Sequence, residues 1–213
     1  MPLNKVKIGG QMYQFLNEDG YNGYTWNVIK GKCPHDCVYC FMKRYPQFPI
    51  RFDEKELKTD LGSGNFIFVG SSCDIGAKDI PINWLVRVVE HCKKFPNNKY
   101  LFQSKNPAGL IILARRSYPE HSIFGTTIET NRGYRAMGNT PDVINRVLTM
   151  KFIKENWGAE TMITCEPIMQ FDIKEMLELI ISCKPDWVNI GADSGRNNLT
   201  APSAQELQDF IRA

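Results

Sequence analysis

Apolar residues along the chain follow two alternating rhythms. Short, nearly continuous apolar or β-branched runs occur at Tyr24–Ile29, Phe66–Gly70, Tyr100–Gln103, Ile123–Ile128, Thr161–Cys165 and Trp187–Ile190. Such runs are expected of parallel strands covered on both faces. Between them the spacing changes to that of helices. Leu85, Val88, Val89 and Cys92 recur at i, i+3, i+4 and i+7, as do Met176, Leu179, Ile180 and Cys183.

Three helix starts carry their own punctuation. Asn106-Pro107 and Thr140-Pro141 each set a capping side chain before a proline at the first helical position. Ser203 and Glu206 have capping-box spacing ahead of Leu207, Phe210 and Ile211. The reading is one α/β domain over 1–213, with a lead-in over 1–23 and six strand–helix units over 24–213. Such alternation makes an open doubly wound sheet or a barrel, and six units also allow a partial barrel. Periodicity does not choose among them. In each, chemistry belongs at the carboxyl ends of the strands. One connection, 41–63, is long, as functional connections often are; it carries Arg44 to Pro49 and then a charged stretch, Arg51–Lys58.

Composition narrows the setting. The chain's 213 residues, 43% of them hydrophobic, suffice for one core without covalent staples. No run nears the roughly 20 apolar residues of a membrane span, and the start lacks the apolar stretch of a secretory signal. Seven cysteines, three of them between 33 and 40, argue against a secreted disulfide framework. A soluble cytoplasmic protein is expected. The net charge of +3 is too small to argue for nucleic acid by itself.

Directly after the first strand stands the loop Gly31 to Cys40, with thiols at Cys33, Cys37 and Cys40. Three thiols so close can share one soft metal centre. A four-iron cube needs four ligands, so three cysteines leave one iron open. The alternative is zinc, with His35 or a remote residue as fourth ligand, although His35 lies awkwardly between two of the cysteines and no second cysteine pair exists.

This Cys-x3-Cys-x2-Cys loop, with the aromatic Tyr39 before its last cysteine and βα units following, resembles the radical S-adenosylmethionine (radical SAM) superfamily. The resemblance implies a (β/α)6 partial barrel and a [4Fe–4S] cluster on Cys33, Cys37 and Cys40. SAM would bind the open iron, an electron donor such as flavodoxin or ferredoxin would reduce the cluster, and cleavage of SAM would yield a radical that abstracts hydrogen from a substrate. Trp26-Asn27, Phe68 to Ser71 with Asp74, Glu166-Pro167 and Trp187 to Gly195 are similar to a phage-associated radical SAM family, which would place the protein in the host cytoplasm. More distant is the likeness to the spore photoproduct lyase family, which repairs a thymine dimer, and to phage radical SAM isomerases that build hypermodified thymines. By analogy the substrate is a nucleobase or nucleic acid, and the reaction an isomerisation or a repair. A catalytically inactive partner protein of the same fold is a further alternative.

The resemblance also assigns the rest of the site. Gly70, Ser71, Ser72 and Asp74 stand where the family contacts the SAM amino group, although they depart from its usual Gly-Gly-Glu pattern. Thr127, Glu129 and Asn131 alternate along the chain and are candidates for the ribose hydroxyls. Arg132 or Arg135 would meet the SAM carboxylate, and Tyr39 would neighbour the adenine. Glu166 ends an apolar strand and must find a partner or face a cavity. Cys73 and Cys165, at strand ends, are candidate hydrogen donors or, more simply, buried thiols. Lys105, Arg132, Arg135 and Arg196 would ring the mouth with Arg44 nearby, among the acids Asp74, Glu129, Glu166 and Asp193. The ending at Ala213 leaves little to seal the side and bottom, so a large substrate or a partner would complete the closure.

Overall fold

The computed structural model describes residues 3–6, 13–17 and 21–213. The other positions of the lead-in lie outside the described residues. A short strand β1 (Asn4–Lys5) and a one-turn helix α1 (Tyr13–Leu16) precede β2 (Asn22–Trp26). A two-stranded ribbon follows, β3 (Ile29–Lys30) with β4 (Arg51–Phe52). Then come β5 (Asn65–Val69), α2 (Ile82–Lys93), β6 (Lys99–Gln103), α3 (Pro107–Leu110) and β7 (Ser122–Thr127). The chain closes with α4 (Val143–Phe152), β8 (Glu160–Cys165), α5 (Ile173–Cys183), β9 (Trp187–Ile190) and α6 (Ala204–Arg212).

The main sheet has seven strands in the order β1-β2-β5-β6-β7-β8-β9, all parallel except β1. From β2 onward spatial order follows chain order, so every crossover steps the same way. Right-handed crossovers then lay the helices on one face. A doubly wound sheet needs a reversal of order and is excluded.

Register sorts the side chains. Ile67, Val69, Tyr100, Phe102, Phe124 and Ile163 share a core with Leu85, Val88, Val147, Met150, Met176 and Ile180 of the covering helices. Their neighbours Phe66, Leu101, Ile123 and Met162 face the other way and pack with Phe15 and Leu16 of α1. Burying those two side chains contributes roughly 3–6 kcal/mol. This corrects the expectation of an unsealed bottom, because α1 plugs it. Toward the carboxyl ends the same face turns polar, with Gln103, Thr127 and Thr164. The Gln103 amide donates to Thr164 Oγ1 at 2.8 Å, while its Oε1 is buried with no hydrogen-bond partner among the described residues.

Three local expectations need correction. The first strand ends at Trp26 rather than Ile29, because Ile29 pairs with Phe52 in the ribbon. Thr140-Pro141 does not start α4; Asp142 caps it, accepting from the Asn145 amide at 2.8 Å, while Thr140 binds Arg146. Asn106 precedes α3 but does not cap it, since its amide donates to Gly76 O at 2.7 Å. Ser203 and Glu206 do form a capping box.

Candidate active site

A cavity of ≈ 410 Å³ opens at the carboxyl ends of the parallel strands. Cys33, Cys37 and Cys40 all line it, on a loop closed by two successive turns, Asp36 N to Cys33 O and Cys40 N to Cys37 O, each 3.2 Å. The loop is clamped from a distance in sequence. Val38 N donates to Ala136 O at 2.9 Å, Asn139 N donates to His35 O at 2.7 Å, and Cys37 Sγ donates to Met137 O at 3.3 Å. Gly138, at φ +66°, makes this approach possible, since a Cβ there would stand 2.1 Å from His35 O.

All seven cysteines are free thiols. The Cys33 thiol is lowered to about 6, chiefly by its hydrogen bond with the Cys73 thiol, against the opposing effect of burial. Burial pushes Cys37 up to about 11. Among the described residues no three His, Cys, Asp or Glu side chains stand in a finished metal cage, so holding a cluster would draw the three loop sulfurs together. The donor set fits one: three soft thiols on a single loop, opening on the same cavity.

His35 is engaged through one ring nitrogen. Its Nε2 lies 3.0 Å from Asp74 Oδ2. Asp74 also accepts from Ser104 Oγ (2.6 Å), Gly76 N (2.9 Å) and Lys105 N (2.7 Å). Burial would raise the Asp74 pKa, but His35, Ser104 and the backbone donor outweigh it and hold the carboxyl below its usual range. Next to it, Asn27 Oδ1 accepts from Ser72 N at 2.8 Å and from Ser71 Oγ at 3.2 Å. Gly70 (φ +80°), Ser71, Ser72 and Asp74 thus reach the cavity wall as one turn.

Glu129 is fully buried behind that wall. Its Oε1 accepts from both Tyr39 OH and Lys105 Nζ, and its Oε2 from Arg146 Nη1 at 2.8 Å. Burial opposes its charge, yet Lys105 and Arg146 pull its pKa down to about 2. Tyr39 and Lys105 reach the cavity, with the ammonium 5.0 Å from the ring centroid. Glu129 therefore holds cavity-lining groups in place instead of lining the cavity itself. Arg146 escaped the sequence reading. The signal was there, an arginine inside the apolar stripe Val143, Val147, Met150.

Thr127 and Glu166 line the cavity. Glu166 makes no hydrogen bond or ion pair among the described residues, and burial raises its pKa. It fits only because position 191 is glycine; a Cβ there would meet Glu166 Oε1 at 2.0 Å. The remaining candidates fall elsewhere. Cys165 is fully buried in the helix-side core, because adjacent strand residues face opposite ways and Thr164 takes the cavity side. Cys73 is buried against Cys33. Asn131 and Arg132 are drawn away to Asp172 ahead of α5, with Arg132 Nη2 at 2.6 Å from its Oδ1. Arg135 stands off the cavity, in the 3-10 turn Arg135–Met137 that backs the cysteine loop.

No family model matches the sequence, and no curated protein sequence matches it. Solved structures do match. A spore photoproduct lyase complexed with dinucleoside spore photoproduct superimposes with TM-score 0.58 at 15% identity over 78% of this chain and 52% of that one. A spore photoproduct lyase variant with bound AdoMet and dinucleoside spore photoproduct gives 0.59 at 13% identity over 92% and 61%. The fold is that of spore photoproduct lyase. The present chain spans between 52% and 61% of the length of those proteins. Among the described residues no helix is long and apolar enough to cross a membrane.

Proposed function

We propose that this chain is a radical SAM enzyme with a (β/α)6 partial barrel, acting on a nucleobase-type or nucleic-acid substrate by isomerisation or lysis. The observation that carries the reading is the convergence of Cys33, Cys37 and Cys40 on the cavity at the strand ends. The shared fold supports it, and so does the AdoMet and dinucleoside bound by the structural neighbour. When bound, a [4Fe–4S] cluster on these thiols supplies the electron that cleaves SAM to methionine and a hydrogen-abstracting 5′-deoxyadenosyl radical.

The chain's own residues position and shield. Ser71 and Ser72, held by Asn27, would accept from the amino group of SAM, and Lys105 would meet its carboxylate. Thr127 offers a hydroxyl to the ribose and Tyr39 an aromatic face to the adenine. Asp74 and Glu129 fix that wall from behind. Glu166, an unpaired residue of the cavity lining, offers its carboxyl to the substrate.

Anaerobic reconstitution with iron and sulfide, then reduction in the presence of SAM, should yield 5′-deoxyadenosine. Cys33→Ala, Cys37→Ala and Cys40→Ala should each abolish it. Cluster without product would instead mark a non-catalytic partner of the same fold.

One observation favours a second reading. Cys73, buried and electrostatically coupled to Cys33, offers a fourth sulfur for zinc in a binding module. Stoichiometric zinc that is lost in Cys73→Ala, with no product, would establish it.

A further inference from the structure

The cysteine loop runs on into an exposed aromatic and basic segment that the site leaves unused. Phe41 is 52% exposed, Tyr45 58% and Phe48 55%. Between Phe41 and Phe52 the chain carries Lys43, Arg44 and Arg51 and no acidic residue. Lys43 is spent on Asp36 at 2.9 Å, whereas Arg44 has no ion-pair or hydrogen-bond partner among the described residues. Phe41, Arg44 and Gln47 line the cavity mouth, and Arg44 Nη2 lies 3.4 Å from where a Cβ at Gly195 would stand, so the exposed Arg196 follows directly beside it.

The segment is held rigid. Gln47 Nε2 donates to Met42 O at 2.6 Å and to Tyr45 O at 2.9 Å, folding 42–47 into a fixed turn. Its base is stapled by the β3–β4 ribbon and by Lys30, which reaches Asp53 at 2.8 Å and Glu56 at 2.7 Å. Gly31, at φ +113°, lets Pro49 O come within 2.6 Å of where a Cβ would stand, pressing the two limbs together. Large rings kept in water on a preorganised turn, interleaved with unpaired guanidinium groups, match bases to stack and phosphates to neutralise.

We propose that Phe41–Arg51 is a docking platform for single-stranded DNA, on which flanking bases stack on Phe41, Tyr45 and Phe48 while Arg44 holds phosphate and one nucleotide enters the cavity. This rests on the nucleobase-type substrate of the reading above. It explains how the cavity selects one base: a base must leave its stack to be acted on, and the rings take over the stacking that its neighbours lose.

The test is fluorescence anisotropy of the reconstituted protein with a labelled oligothymidylate of about 12 nucleotides. Tyr45→Ala/Phe48→Ala should weaken binding roughly tenfold or more, and Arg44→Ala should flatten the slope of log K against log salt by roughly 0.7. Lys184→Ala, on a distant surface, should change neither. Uncoupled 5′-deoxyadenosine formation, measured in the same preparation, should persist in Tyr45→Ala/Phe48→Ala, so failure of the radical reading is seen separately. Unchanged affinity in the aromatic variant, tighter binding of oligouridylate or duplex, or equal binding of an acidic peptide would each overturn the platform.

Discussion

Asp74 and His35 meet at 3.0 Å, tying the turn after β5 to the middle of the cysteine loop. Both side chains are largely out of water, at 12% and 5% exposure, and the same carboxylate satisfies three further donors. Asp74→Ala would strand an imidazole, a hydroxyl and two backbone amides. It should cost about 3 kcal/mol, read by urea denaturation, and should lower the iron taken up by the loop.

Gly138 tests the other side of the loop. An alanine there must adopt φ +66° and would collide with His35 O and the Asp36 backbone. Gly138→Ala should cost more than the roughly 1–3 kcal/mol of a strained backbone alone, because the obstructing atoms are backbone, and should release the 136–139 clamp. Iron stoichiometry should fall while the far-ultraviolet circular dichroism of the helices is kept.

Glu129 sets a pH dependence. Its carboxyl is pulled from the ordinary 4.5 to about 2, so the folded state binds its proton less readily than the unfolded chain. The stability this contributes is complete above pH 4.5 and is lost as pH falls through that value toward 2. It amounts to about 3 kcal/mol. The urea midpoint should fall across this window. In Glu129→Gln the decline should be shallower, and at neutral pH that variant should be less stable by about 3–5 kcal/mol, because Lys105 and Arg146 are left uncompensated.

Gly191 and Glu166 should behave as a unit. A Cβ at 191 would meet Glu166 along its length, at Oε1 (2.0 Å), Cγ (2.2 Å) and Cδ (2.5 Å), so the whole side chain must take another rotamer and leave its place at the cavity. Gly191→Ala should therefore fold normally yet lose substrate-dependent turnover as Glu166→Ala does, with the double variant no worse than either. Additive losses in single-turnover kinetics would separate the two positions.

Cys165 points into the helix-side core. Cys165→Ala should retain 5′-deoxyadenosine formation in full and cost about 1 kcal/mol of stability from the small void. A substrate-dependent defect in this variant alone would restore it as a hydrogen donor.

Several features were legible because they are local. Helical periodicity placed Leu85, Val88, Val89 and Cys92 on one face of α2, and all four are buried. Ser203 and Glu206 announce their capping box within one turn. The three thiols of the cysteine loop are close enough in the chain to line one cavity. The errors share a cause as well. Thr140-Pro141 reads as a helix start, but Arg146 claims the threonine from inside a folded core. Asn131, Arg132 and Arg135 follow a strand end, as site residues do, yet Asp172 draws the first two away and the third backs the cysteine loop.

The sequence by itself determined the element types, the strand–helix alternation and the thiol loop, since these depend on neighbours a few residues apart. Only the tertiary structure decided that the sheet is singly wound, that α1 plugs its base, and that Glu129 supports the cavity from behind while Glu166 faces it. Those outcomes depend on which distant donors and carboxylates meet once water is excluded. A buried charge takes whichever partner the folded core brings within reach, and no spacing along the chain encodes that choice.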